Sequence, residues 1–239
     1  MKTYIINLKD AVLRREYMRK QLQLLPPSLS VEFVEAVDGR IMSSQERENK
    51  FDTEKFRLRY TKEVRPGEIG CTLSHQKLMH SEEKYALILE DDIVVRPNVD
   101  SVFPCIEELI QTDKPLVILL SGWYWFGETK KIDTHYHVAN VYDAFLTHAY
   151  IINRAAAALL IEPRPFITAD DWFYIRKKGV KICALLPHLI DQDWSGTNPT
   201  SINEVKRVTC KGMWKRKFQI RLHSLYLKVL KLVNHFEKA

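Results

Sequence analysis

The run Tyr85-Ala86-Leu87-Ile88-Leu89 contains no charged or strongly polar position. A strand with one wet face alternates apolar and polar residues, whereas a continuous apolar run of this length marks a strand covered on both sides. Leu116 to Leu120 has the same character, and Tyr4 to Leu8 and Val180 to Leu186 are apolar apart from Asn7 and Lys181. Segments with helical spacing lie between these runs. Strands of this kind alternating with helices predict an α/β fold, with a mostly parallel central sheet and helices packed on its two faces. Such a sheet gathers the carboxyl ends of its strands along one edge, which is where open α/β sheets bind ligands.

The remaining elements follow from breakers and periodicity. A helix is expected over about 11–25, stopped by Pro26-Pro27. A second strand, Val31 to Ala36, ends at the Asp38-Gly39 turn. The polar stretch 43–65 reads as a loop or a short exposed helix. Pro66-Gly67-Glu68 opens a helix to about Glu83, and another runs from about Val99 to Ile110. Trp123-Tyr124-Trp125-Phe126 is expected in a Gly-flanked loop, where it either covers the core or stacks on sugar rings. Strands are expected near Val138 to Tyr142 and Leu146 to Ile152. An Ala-rich helix starts near Asn153, a further helix begins at Asp170-Asp171, and 187–203 reads as a loop.

Charge divides the chain. From Lys206 onward ten basic residues face a single acid, Glu237, a net +9 that leaves −3 for the first 205 residues out of the total of +6. A uniformly basic nucleic-acid-binding surface is excluded by this pattern. The expected organisation is a catalytic domain over 1–205 and a basic helical tail over 206–239. In the tail, Trp214, Phe218, Leu222, Leu225, Val229, Leu232 and Phe236 recur by threes and fours as one apolar stripe, with the basic residues elsewhere on the cylinder. The stripe suits an anionic bilayer surface, the body of the protein or a partner chain, a second copy included. The four cysteines form no C-x-x-C pair, which predicts reduced thiols. With no apolar stretch of spanning length, a cytoplasmic protein is expected, peripheral on the inner face of the membrane if the tail docks there.

Glu90-Asp91-Asp92 directly follows the most apolar strand. Three adjacent carboxylates at the end of a buried strand repel one another unless a cation offsets them, and hard oxygen ligands suit Mg²⁺ or Mn²⁺. The alternative is an acidic turn that caps the following segment. A metal there can bridge the phosphates of a sugar nucleotide and neutralise a departing diphosphate. Arg14 and Arg15 are either fixed charges near that nucleotide or solvated helix positions. Asp170-Asp171 supplies a general base beside Trp172 or the N-cap of a helix. Of the histidines His75, His137, His148 and His188, the last follows Pro187 at a strand end and is the candidate for a further metal ligand.

Several blocks occur in order: Tyr4 to Leu8 with Arg14-Arg15, Ala36 to Gly39, Gly67 to His75, Ala86 to Asp92, Thr147 to Ile152 with Ala155 to Leu160, and Asp170-Asp171-Trp172. Together they resemble glycosyltransferase family 25, over residues from about 3 to 200. The Gly-Cys-x-x-Ser-His and Glu-Asp-Asp blocks carry most of the resemblance. It implies a GT-A-like fold, a UDP-sugar donor (usually UDP-galactose), an oligosaccharide or lipooligosaccharide acceptor and inversion to a β-linkage. It also implies that the acidic triplet stands for the metal-binding D-x-D motif, with Asp92 the first metal ligand and Asp91 a second. Asn7, Leu8, Arg14, Asp38, Ser74, His75, Glu90 and Asp91 then belong to the donor site or its support, and Asp170 or Asp171 is the base. The resemblance leaves open a different UDP-hexose, such as glucose or an N-acetylhexosamine, and a non-catalytic sugar-nucleotide-binding role at a membrane.

Overall fold

Strand β3 (Tyr85–Glu90) lies inside a sheet of nine strands, and its residues explain that position. Leu87 and Leu89 point to one face and pack with Ile5, Ile106 and Ile151. Ile88 points to the other and packs with Ile6, Tyr150, Ile152 and Trp172. Two hydrophobic layers therefore sandwich the sheet, as an unbroken apolar run requires. The chain was described from a computed structural model, covering residues 1–193 and 214–238 with the side chains of 214–220 excepted.

On one side of β3 lie β1 (Lys2–Asn7) and then β2 (Ser30–Glu35), both parallel to it. On the other side lies β8 (Ala149–Asn153), antiparallel to β3. Next come β5 (Leu116–Leu119) and β9 (Lys181–Leu186), parallel to each other, with β5 antiparallel to β8. The long hairpin β6 (Trp123–Lys131) and β7 (His137–Phe145) joins through β7 to β9. The order closes with β11 (Phe236–Lys238) on β6. Strands β2, β1, β3, β5, β9 and β6 thus run one way, against β8, β7 and β11, so the expected mostly parallel direction holds. The antiparallel insertion of β8 beside β3 was not foreseen. It matters because it brings the residue before β8, His148, to the end of β3.

Helices α1 (Val12–Gln21) and α5 (Phe103–Ile110) belong to one face. Helices α4 (Pro66–Leu78), α6 (Arg154–Leu160) and α7 (Trp172–Lys177) belong to the other. The stretch 43–65 forms two helices, α2 (Ser44–Lys50) and α3 (Thr53–Tyr60). Their start signals are present in the sequence: Ser43 and Glu46 make a reciprocal capping box, and Asp52 caps α3. Phe51 and Phe56 anchor both in a small core of their own with Ile69.

Two glycines fix the seat of α4. A Cβ on Gly39 would fall 1.9 Å from the Pro66 carbonyl oxygen, and one on Gly70 would fall 2.4 Å from that of Val37. The helix start therefore packs backbone against backbone on the loop after β2. Ser74 completes the joint, accepting from the Val37 N–H (2.8 Å) and donating to the Gly70 carbonyl (2.7 Å). This joint holds Cys71 and His75, one turn apart on α4, toward the end of β3.

Two expectations change. Trp123 to Phe126 lie in strand β6, not in a loop, with Tyr124 and Phe126 buried. Trp125 packs against Phe145 and Phe236, so the cluster is core and sheet surface rather than a sugar platform. The long C-terminal helix, α8 (Trp214–Leu232), ends before Phe236, which continues the chain into edge strand β11. The expected boundary at 205/206, the 194–203 part of the expected loop and the final residues of the resemblance lie outside the described residues. No helix of the described residues is long and apolar enough to cross a membrane.

Candidate active site

The acidic triplet divides into three environments. Glu90 ends β3 and is held by its neighbours. Its backbone N–H donates to the His148 carbonyl (2.8 Å), and its carboxylate meets His75 Nε2 (3.2 Å) and accepts from the Thr147 hydroxyl. Burial alone would push this carboxyl up, but the His75 hydrogen bond and the charge of His148 outweigh it and hold Glu90 low.

Asp91 turns to the opposite side and is neutralised there. Asn7 Nδ2 donates to one oxygen (2.7 Å) and Arg14 to the other (2.5 Å), while Arg15 Nε donates to the Asn7 side-chain oxygen Oδ1 (2.9 Å). Arg14 and Asn7, both expected near the donor, are thus clamps on Asp91. With both oxygens engaged, Asp91 is not poised as the metal ligand the sequence suggested. Leu8, partly buried, closes this turn through its carbonyl, which accepts from the Ala11 N–H (3.0 Å).

Asp92 is different again. Strand β4 (Ile93–Val95) pairs with β10 (Ile190–Gln192), and that ladder holds Asp92 in place. Its carbonyl accepts from the Asp193 N–H (2.7 Å), and Oδ2 accepts from Gln192 Nε2 (3.1 Å). Oδ1 is buried and has no hydrogen-bond partner among the described residues. Burial, followed by the neighbouring Glu90 carboxylate, raises the Asp92 carboxyl above the usual carboxylate range.

His148 is the site residue that sequence reasoning misplaced. It is buried, and its Nδ1 also lacks a partner among the described residues. One ligand atom each from Glu90, Asp92 and His148 lies within 4.8 Å of the others. Buried polar atoms without partners are costly, and two of these three residues, Asp92 and His148, each carry one. Two carboxylates and an imidazole suit a divalent cation such as Mn²⁺. A dication would relieve the Glu90–Asp92 repulsion that raises Asp92. The signal was present in Thr147-His148 before a buried strand. It was not decisive, because only the antiparallel placement of β8 brings His148 to Glu90.

His188, the metal ligand expected from sequence, has another setting. It is buried with its Nδ1 on Glu237 (3.0 Å) and its Nε2 on Asp191 (2.6 Å), and Arg96 pairs with Asp191 (2.9 Å). Both ring nitrogens are taken by carboxylates, and one of those carboxylates comes from the C-terminal strand. His188 therefore ties β11 to the body. Asp38 pairs with Arg40 (2.7 Å) and lines an open surface cavity of about 550 Å³ with Ala36, Val37 and Lys77, past the end of β2.

Asp170 and Asp171 also separate. Asp171 caps α7 through the Tyr174 N–H (3.0 Å) and accepts from Tyr60 (2.5 Å) and Arg59 (2.6 Å). The Asp170 carboxylate takes no hydrogen bond among the described residues. Its charge acts on the Cys71 thiol, as do those of Glu90 and Asp92.

The profile of glycosyltransferase family 25, described as lipopolysaccharide biosynthesis proteins, matches residues 1–173. The chain belongs to glycosyltransferase family 25. Glu90, Asp92, His148 and Asp170 all fall within the family's matched stretch, and the protein is a sugar-transferring enzyme of the lipopolysaccharide biosynthesis type. No curated protein matches the chain in sequence. Solved structures similar to it are distant. The galactosyltransferase LgtC, in complex with donor and acceptor sugar analogues, is 14% identical with a TM-score of 0.39, over 77% of this chain and 73% of that one. Mouse xyloside xylosyltransferase 1 is 11% identical with a TM-score of 0.39, over 74% and 68%. The inositol-1-phosphate CTP transferase from T. maritima is 10% identical with a TM-score of 0.37, over 85% and 91%. At this distance they bear on neither substrate nor mechanism.

Proposed function

We propose that this family 25 enzyme transfers galactose from UDP-galactose to a sugar hydroxyl of lipooligosaccharide, with inversion to a β-linkage, on a GT-A-like scaffold. The observation that carries the reading is the cluster of Glu90, Asp92 and His148 where β3 ends, with one ligand atom of each within 4.8 Å of the others and an unpartnered buried atom on both Asp92 and His148. Glu90, Asp92 and His148 would hold Mn²⁺ or Mg²⁺, which when bound supplies charge neutralisation for a leaving diphosphate. His75 and Thr147 orient Glu90, and the Arg14–Asn7 clamp on Asp91 keeps the third acid from competing. Asp170, whose charge reaches Cys71 beside Glu90 and whose carboxylate has no hydrogen-bond partner among the described residues, is the group that takes the proton from the acceptor hydroxyl.

The test is UDP release from a panel of UDP-sugars with lipooligosaccharide-type acceptors, in Mn²⁺ and in EDTA. Metal-dependent release favouring UDP-galactose is expected. Preference for glucose or an N-acetylated sugar would correct the donor. Pyrophosphate in place of UDP would mean nucleotidyl transfer, and UDP binding without turnover on any acceptor would mean a non-catalytic role.

The same reading places the enzyme at an anionic membrane surface. The face of α8 that meets the body carries Leu230, 6% exposed, and His223, whose Nε2 contacts Asp143 (2.7 Å). Four residues of the stripe counted in the sequence face outward: Leu222 is 51%, Leu225 59%, Val229 47% and Leu232 82% exposed, whereas Phe236 packs on Trp125. Arg221, Lys228 and Lys231 flank it. An exposed apolar stripe beside cations suits the inner leaflet, where lipid-linked acceptors would be met. Flotation with phosphatidylglycerol vesicles is expected to carry the protein upward, less so as salt rises. Leu225→Ser with Leu232→Ser should abolish it. Flotation unchanged by that pair would remove the membrane contact, and a concentration-dependent dimer lost with the pair would assign the stripe to a second copy.

A further inference from the structure

Cys71 and His75 stand one turn apart on α4, so their side chains share a face. Their ligand atoms and a Glu90 carboxylate oxygen lie within 4.8 Å of one another. His75 is preset for ligation. It is buried, its Nδ1 is hydrogen-bonded to the Tyr150 hydroxyl (2.8 Å), and its Nε2 faces Glu90 (3.2 Å). Tyr150 fixes the imidazole, and an ion between His75 and Glu90 would replace the contact that Nε2 now makes with that carboxylate. Cys71 is exposed to solvent.

A coordinating thiol loses its proton to a dication outright. One thiolate, one carboxylate and a neutral imidazole offset a 2+ ion completely.

We propose that Cys71, His75 and Glu90 form a site for a thiophilic divalent cation of the zinc class, separate from the Glu90–Asp92–His148 group but sharing Glu90 with it. Sulfur, nitrogen and one oxygen select zinc-like ions, whereas two oxygens and a nitrogen suit Mn²⁺ better. Binding releases the thiol proton to solvent and leaves the cleft side of the ion open for water. Because Glu90 is shared, an ion here draws a ligand away from the neighbouring group. The cation site itself does not depend on the sugar-transfer reading.

Co²⁺ is the probe for the reduced, metal-free full-length protein. The expected result is a near-ultraviolet sulfur-to-cobalt charge-transfer band with visible bands of tetrahedral intensity. The band should persist in Cys105→Ser and Cys210→Ser and vanish in Cys71→Ser. No charge-transfer band in the wild-type protein, or a band that survives Cys71→Ser, overturns the proposal. A second measurement needs no variant: saturating Zn²⁺ should slow iodoacetamide alkylation of Cys71 by about tenfold or more, because the bound thiolate is withdrawn from reaction, while Cys105 is unaffected. Equal alkylation of Cys71 with and without Zn²⁺ would sink the site. Both readings are independent of turnover, so an enzyme inactive on every sugar donor can still show the site, and an active one can lack it.

Discussion

Asp92→Asn lowers kcat/KM for metal-dependent sugar transfer by about 10³-fold, equivalent to roughly 4 kcal/mol of transition-state stabilisation. The side chain keeps its shape and its contact with Gln192, so the loss is one of charge and ligation. Fold stability should move the other way. Asp92 is buried beside Glu90 with one oxygen unpartnered, and its carboxyl is raised by burial and by that neighbour. Removing the negative charge relieves both penalties in the metal-free protein. Thermal unfolding without metal should therefore give an equal or higher Tm for the variant, while the Tm increase that Mn²⁺ produces in the wild type should disappear. This opposition of stability and activity is expected where an ion site is built at the expense of the apo fold. A variant with lower Tm and retained Mn²⁺-dependent transfer would show that Asp92 is a structural acid and not a ligand.

The triplet illustrates what was legible in the sequence and what was not. Three carboxylates after a buried strand announced a charge problem, and that inference needed only Leu87 to Asp92. Their division of labour is set elsewhere. Asp91 is neutralised by Asn7 and Arg14 from β1 and α1, Glu90 by His75 and Thr147, and Asp92 is held by the β4–β10 ladder. These partners are 15 to 100 positions away and come from other parts of the fold, so spacing within the triplet carries no information about them. The exchange of His188 for His148 has the same origin. Both histidines sit next to a core strand, and only strand order decides which reaches Glu90.

The fold was read best where two-sided burial forced it. Strands β1, β3, β5 and β9 are built on predominantly apolar runs and lie where expected. The reading failed where an apolar signal had two structural outcomes. The Trp123–Phe126 cluster is as apolar as a core strand, but the neighbouring glycines suggested a loop, and pairing with β7 and β11 made it a strand. In α8 periodicity identified an amphipathic helix without saying which side meets the body. His223 and Leu230, off the stripe, face the sheet, where His223 meets Asp143 and packs on Tyr142 and Phe173.

Asp170→Asn and Asp171→Ala should separate cleanly into a catalytic and a structural defect. In Asp170→Asn, kcat falls by about 10²–10⁴-fold, the usual contribution of a positioned base, with UDP binding and Tm unchanged. Its carboxylate takes no hydrogen bond among the described residues, so little structure depends on it. Asp171→Ala removes the N-cap of α7, worth about 1 kcal/mol, and deprives the half-buried Arg59 of its counter-charge. Together these should cost about 2–4 kcal/mol, because breaking a partly buried pair leaves one charge poorly compensated. At this chain length that corresponds to a Tm lower by several to about 15 °C. Below that melting point the variant should retain most of its kcat, since the Asp171 oxygens face Tyr60, Arg59 and the helix start rather than the space beside Cys71. Paired melting curves and initial rates decide the matter. Asp171→Ala inactive while still folded, with Asp170→Asn near full activity, would exchange the two roles. Full activity in both variants would place the base outside this pair altogether.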